Sequence, residues 1–346
     1  MGERVRFGFG VYRHGPCGRT GACEKDPFND PNDRIVKLHR YNRPYFYPLA
    51  IVTTNVGISL GYDYSTIEYK EKQDFGLFKE DKFQFGGLAE RLGAEFMLNE
   101  RFSLEFLLEG RALAGVDDES AMLYGGQLTY AASVIPKFSV YHSERSGTSI
   151  ALAAGLAYDN GAQTSPLVLM LKVIENAIDE LNEAVETGEM SESDLESIYD
   201  VKLKDGTFTF ERTGFSPSLL LVQTLSPLIG LDGGLRYDYA LNEKYDAPSS
   251  VGGDSTDKTN IISVGGGVSF DFHAVSSAPV GIRGEFDYGI EQPEEGKDPT
   301  STKLGGMIYY SGRRNLDLSA NIMRWTAEMD EDTDGSDLFL ILTMRY

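Results

Sequence analysis

Val280-Gly281-Ile282-Arg283-Gly284-Glu285-Phe286-Asp287-Tyr288-Gly289-Ile290 is the stretch on which the fold reading turns. Val280, Ile282, Phe286, Tyr288 and Ile290 fall on one parity; Arg283, Glu285 and Asp287 fall on the other. Successive side chains of a strand point to opposite faces, so this segment is a strand with one apolar and one charged face. The same alternation recurs on both sides. Leu231, Leu235, Tyr237 and Tyr239 alternate with Asp232, Arg236 and Asp238, and Val56, Ile58, Leu60, Tyr62 and Tyr64 with Gly57, Ser59, Gly61 and Asp63. Only 84–98 fits less well, because Glu90 sits on its apolar parity.

A soluble antiparallel sheet also alternates, so three further features decide between it and a membrane barrel. The polar parity mixes Arg, Glu and Asp with Gly and Ser, as a hydrated lumen requires. Tyr gathers near strand ends on the apolar parity, like an interfacial girdle. Connections alternate between tight (Asn99-Glu100, Ser226-Pro227, Ser311–Asn315) and long and acidic (244–258, 291–300, 327–336). Short periplasmic turns and long outer loops produce that rhythm. No run of about 18 apolar residues is present to make a membrane helix.

The strands are expected at 47–69, 82–98, 101–116, 120–135, 148–159, 206–225, 228–243, 259–273, 279–291, 301–311, 315–327 and 337–346. This is an all-β transmembrane antiparallel barrel of about twelve strands, with fourteen reached if Val5–Tyr12 and a turn within 45–69 each add one. Residues 1–45 read as a loop-rich tail that either plugs the lumen or hangs outside it, and 46–346 as the barrel. Within 166–200 the period changes: Leu167, Leu171, Ile174, Ile178, Leu181 and Val185 recur at three- and four-residue spacing, which makes an amphipathic helix stopped by Gly188. Ser191 and Asp194 then cap a second short helix. This outer-loop insertion is expected to pack Leu171, Ile174, Ile178 and Leu181 on the barrel mouth or on its own second helix.

The 346 residues carry 53 acidic and 32 basic side chains, a net charge of -21, which excludes nucleic-acid backbone binding. Met1-Gly2-Glu3-Arg4 lacks the apolar segment of a signal peptide, so an export signal would already have been removed. Cys17 and Cys23 read as a short disulfide loop of an oxidising compartment, two free thiols being the alternative. His142-Ser143 invites a base–hydroxyl reading but falls at a periplasmic turn, and His273 reads as a polar wall residue. No HExxH, GxSxG or phosphate-loop pattern occurs, so no catalytic residue and no cofactor is assigned and the chain is read as a non-enzyme. Asp330, Asp332 and Asp334, followed by Gly335, resemble the first half of a calcium loop. Ile341 stands where a closing Glu belongs, so the choice lies between a Ca2+ site in an outer loop and a solvated acidic hairpin.

The interior parity holds Arg91, Glu95, Glu105, Glu109, Arg111, Asp232, Arg236, Asp238, Arg283, Glu285 and Asp287. Buried charges must be paired or hydrated, so these residues either form cross-strand ladders that fill the lumen or line a narrow aqueous path. The acidic excess is expected to make any conductance favour cations.

The chain closes on Leu338, Leu340, Leu342, Met344 and Tyr346, which share one parity. This ending resembles the assembly signal of bacterial outer-membrane proteins. The resemblance implies residence in the bacterial outer membrane, contact with its lipid, and handling by the barrel-assembly machinery. The long tail before the barrel and the helical third outer loop resemble the long-chain fatty-acid and aromatic-hydrocarbon transporter family. That family's early Asn-Pro-Ala motif is missing and the strand count is below its fourteen, so no binding residue is carried over. The resulting expectation is a channel or transporter passing a small solute, hydrophobic in the form this resemblance implies. The alternative is a structural or interaction barrel with a filled lumen and functional outer loops.

Overall fold

The computed structural model describes residues 34–346 except 75–78, 188–200, 249–257, 275, 277, 294–297, 313–315 and 329–332. A two-stranded hairpin, β1 (Ile35–Val36) and β2 (His39–Arg40), precedes the wall. The wall is built of β3 (Asn55–Asp74), β4 (Lys79–Asn99), β5 (Phe102–Gly115), β6 (Gly126–Ser143), β7 (Thr148–Thr164) and β8 (Thr207–Thr224). It continues with β9 (Ile229–Asp246), β10 (Asn260–Asp271), β11 (Val280–Gln292), β12 (Thr300–Tyr310), β13 (Asp317–Glu328) and β14 (Thr333–Arg345). Each strand pairs antiparallel with the next, and β14 returns to β3. Tyr346 and Val56 exchange two backbone hydrogen bonds of 2.8 Å at the seam. Closure leaves no unpaired sheet edge, which an apolar solvent demands because it satisfies no backbone N–H or C=O.

Parity holds around the wall. Leu60, Leu92, Leu108, Leu235, Leu304, Ile322 and Leu342 are exposed on the outside, while Asp63, Glu105, Asp232, Glu285 and Ile341 are buried within. Exposed Tyr141 and Tyr346 lie toward the end with tight turns, and Tyr130, Tyr239 and Tyr288 toward the opposite end. An apolar belt between aromatic rims is the exterior that suits a bilayer.

Three expectations are corrected. First, the wall begins at Asn55, not at 46 or 47, because 47–54 runs inside the lumen. Second, 118–123 is helix α1 (Asp118–Leu123), not the start of a strand at 120. Asp117 caps it by accepting from Ser120 N at 2.7 Å, and Asp118 and Glu119 suit the positive end of its dipole. Third, helix α2 (Pro166–Thr187) leaves Leu171, Ile174, Ile178 and Leu181 exposed. Among the described residues its anchoring lies at its start: Val168 is buried, and Leu167 joins Phe83, Phe85, Leu113 and Leu123 in an apolar cluster under α1. The second short helix, Val5–Tyr12, Cys17 and Cys23 lie outside the described residues.

Candidate functional site in the lumen

The lumen is occupied. Residues 34–54 contain Arg34, Lys37, Arg40 and Arg43 and no acidic residue, whereas the buried wall is rich in carboxylates. This segment folds in as a plug whose arginines meet them. Arg34 pairs with Asp317, Arg43 with Glu105, and Arg40 donates to Ser311 O at 2.9 Å. Tyr45 N donates to Glu285 Oε2 at 3.1 Å, and the Tyr47 hydroxyl to Asp232 Oδ1 at 2.7 Å. From the wall, Lys137 Nζ donates to Leu49 O (2.9 Å) and Ile51 O (2.7 Å) while pairing with Glu95 at 2.6 Å. Thr53 Oγ1 donates to the other oxygen of Glu95 at 3.0 Å. Val36, Tyr41, Leu49, Ala50 and Ile51 pack on inward Ala151, Ala153, Leu220 and Val222, adding apolar burial to these polar ties.

The hairpin is locally strained. Lys37 and Leu38 have φ of 48° and 67°, the left-handed region that a two-residue I′ turn requires and non-glycine residues disfavour. Glu144, in the β6–β7 turn, holds the strained peptide by accepting from Lys37 N at 2.7 Å. Next along, the His39 and Tyr47 rings lie against inward Gly230 and Gly265, where an added Cβ would come within 2.4 Å and 2.7 Å of them. His39 Nδ1 donates to Pro227 O at 2.9 Å, so Nε2 of the neutral ring accepts from Ser269 Oγ at 2.8 Å. Burial holds the His39 pKa below its ordinary value, against the opposing pull of the Pro227 carbonyl and Asp271. Burial likewise raises the pKa of Tyr41 and Tyr47, which stay phenols.

All the lumen residues singled out from parity point inward, but to two different ends. Glu95, Glu105, Asp232, Arg283 and Glu285 engage the plug from around and beneath it. Arg283 Nη2 donates to Asp232 Oδ1 (2.7 Å) and the Tyr47 hydroxyl (3.0 Å), and Nε to Glu285 Oε2 (3.3 Å). Arg91 and Arg236 clasp its loop-facing turn, donating to Tyr45 O (2.8 Å) and Phe46 O (3.3 Å); Arg91 also stacks over the Tyr45 ring at 4.2 Å. The rest pair within the wall: Glu109 with Arg91, Arg111 with Asp63 and Asp337, Asp238 with Arg236, and Asp287 with Lys303. The expected ladders are therefore partly replaced by ties to the plug. Sequence reading placed Asp63 on the polar parity without a partner and missed Lys137, Lys303, Asp317 and Asp337. Lys137 was out of reach because its strand was ended at 135, and the cation-only 34–54 was the unused signal.

Above Tyr45 and Phe46, three cavities of about 390, 320 and 470 Å3 all touch Tyr45 and Glu109. Small inward residues, Ser133, Gly155, Ala157, Gly214 and Ser216, make the room on the β6–β8 side of the first. The cavities form a vestibule lined by both charged and apolar side chains, with the plug as its floor.

Of the other residues singled out, Leu340, Leu342, Met344 and Tyr346 are exposed on the outer face. Asp334 is exposed on β14, and Asp330 and Asp332 lie outside the described residues. His142 sits at the end of β6, 3.4 Å from Glu144. His273 is not a wall residue: it lies exposed in a 3-10 turn after β10, its N–H donating to Asp271 Oδ1 at 3.1 Å.

No protein-family model matches this chain, and no characterised protein matches it in sequence. Solved structures do match. An outer membrane channel from Pseudomonas putida F1 aligns at 12% identity with a TM-score of 0.51, over 88% of this chain and all of that one. The translocator domain of the autotransporter NalP from Neisseria meningitidis aligns at 10% identity, TM-score 0.47, over 85% and 89%. The Pseudomonas putida toluene transporter TodX aligns at 9% identity, TM-score 0.37, over 84% and 89%. The likeness to the Pseudomonas putida F1 channel speaks for fold alone, and with the closed meander, apolar belt and charged interior it gives this chain the fold of a twelve-stranded outer-membrane β-barrel.

Proposed function

We propose that the chain is a plugged outer-membrane channel that passes small solutes through its lumen. The carrying observation is the charge-lined vestibule whose floor is a separate, non-wall segment. The vestibule takes solute from the loop end, and residues 34–54 set whether it proceeds. The plug is held largely by hydrogen bonds and ion pairs, which exchange with water more readily than wall ladders do.

Planar-bilayer current tests this reading. In a Cys17→Ser/Cys23→Ser background, Ala50→Cys with Ser149→Cys puts one thiol on the plug and one on the wall, at residues now joined by the 3.2 Å bond from Ser149 Oγ to the Ala50 carbonyl. Oxidation should abolish current and reduction restore it. Current unaffected by the lock would refute plug displacement as the gate. A second reading, a filled structural barrel, draws support from the apolar packing of Leu49, Ala50 and Ile51 on the wall. Absence of current under both conditions would favour it.

A further inference from the structure

One cleft of the vestibule is built unlike the others. It lies between Tyr45 and Phe46 of the plug and Trp325 and Phe339 of the wall, and has a volume of about 320 Å3. That is the small end of the range for ligand pockets. Inward Arg91, Arg111, Arg236 and Lys303 reach it, against only Glu109 and Asp337.

The cations are not equally engaged. The three arginines each hold a carboxylate within 3.0 Å. Lys303 Nζ stands 3.7 Å from Asp287 Oδ1, beyond hydrogen-bond length, and makes no hydrogen bond among the described residues. Directly across the β12–β13 ladder from it is Trp325, whose indole N–H is buried without an acceptor. An unsatisfied buried donor is costly, and the Trp325 indole N–H beside a half-buried Lys303 that makes only a 3.7 Å ion pair points to an acceptor supplied from outside. The Trp325 ring and three more around it, Tyr45, Phe46 and Phe339, favour a flat apolar body attached to that acceptor.

We propose that this cleft binds small aromatic carboxylates, with Lys303 as the charge partner of the carboxylate and Phe46, Trp325 and Phe339 around the ring. The inference rests on the channel reading, for which it supplies a substrate class. An anion entering here meets Lys303 without first breaking a short ion pair, whereas a cation finds its carboxylates already taken by arginine. An aromatic hydrocarbon would offer the indole N–H no acceptor, and a neutral alcohol would offer Lys303 no opposite charge.

Trp325 is the chain's single tryptophan, so its emission reports on this cleft alone. Titration of the full chain in detergent with benzoate should give a saturable emission change, matched by heat in calorimetry. Benzyl alcohol and acetate should each bind at least ~10-fold more weakly, the loss of one charge-assisted hydrogen bond or of ring burial. Lys303→Met should weaken benzoate by a similar factor, while Lys303→Arg retains it. Equal binding of benzyl alcohol would overturn the carboxylate claim, equal binding of acetate the ring claim, and an unchanged Lys303→Met affinity the role of Lys303. Neither emission change nor heat would overturn the site altogether. Bilayer current from the same preparation separates the two ideas: current without benzoate binding sinks the cleft and leaves the channel, and saturable binding without current does the reverse.

Discussion

Replacing Arg283 with Met tests the plug-and-wall architecture at its most buried point. The Arg283 side chain is 0% exposed, and its partners Asp232 and Glu285 are 1% and 3% exposed. Met preserves much of the volume but strands two carboxylates without their cation. Breaking a buried pair by removing one partner costs about 3–5 kcal/mol, because the remaining charge cannot recover its hydration. The plug should suffer first, since Asp232 and Glu285 are also the acceptors for the Tyr47 hydroxyl and Tyr45 N. Denaturant unfolding in lipid vesicles would give the stability loss. Trypsin would give its location, because Arg34, Lys37 and Arg40 are cleavage sites protected only while the plug is docked. Adding Asp232→Asn and Glu285→Gln should restore more than half of the loss, since those changes remove the stranded charges. A loss below about 1 kcal/mol with the plug still protease-resistant, against the ~3 kcal/mol minimum for a broken buried pair, would refute the reasoning.

Three shorter tests address other parts of the molecule. Leu342→Arg, on the outer face between Leu340 and Met344, should cost about 2–4 kcal/mol if the belt faces hydrocarbon; an unchanged unfolding midpoint in lipid counts against it. Because the pKa of His39 is lowered by burial, plug docking should be full above about pH 6.5, the unfolded value, and weaken as pH falls toward the folded one. Amide exchange of 34–41, corrected for intrinsic rates, should rise on acidification, and His39→Gln should flatten the profile; a flat profile in the unmodified chain contradicts this. Asp238→Asn with Asp287→Asn leaves Arg236 and Lys303 without their carboxylate partners, so the reversal potential should move toward anions at 0.1 M salt. The shift should shrink at 1 M as the screening length falls from about 10 Å to about 3 Å; a move toward cations would be incompatible with the pairing described.

The inward parity of Arg283, Glu285 and Asp287 and the outward parity of Leu340, Leu342 and Met344 were legible in the sequence, because strand periodicity is local and a one-residue slip reverses every side chain. Turn rhythm likewise placed the twelve wall strands, and three- and four-residue spacing gave α2. Two elements were misread for local reasons: Asp117-Asp118-Glu119-Ser120 is a helix start beside an apolar run, and 47–54 alternates well enough to pass for a wall strand. What the charges hold is another matter. Arg43 and Glu105, or Tyr47 and Asp232, are far apart in sequence, and nothing in either neighbourhood names the other. Only closure of the barrel around 34–54 brought them together, and only that closure left the Trp325 indole N–H without an acceptor beside Lys303, 3.7 Å from Asp287. Periodicity is written residue by residue, whereas the pairing of buried charges depends on which chain segment enters the lumen.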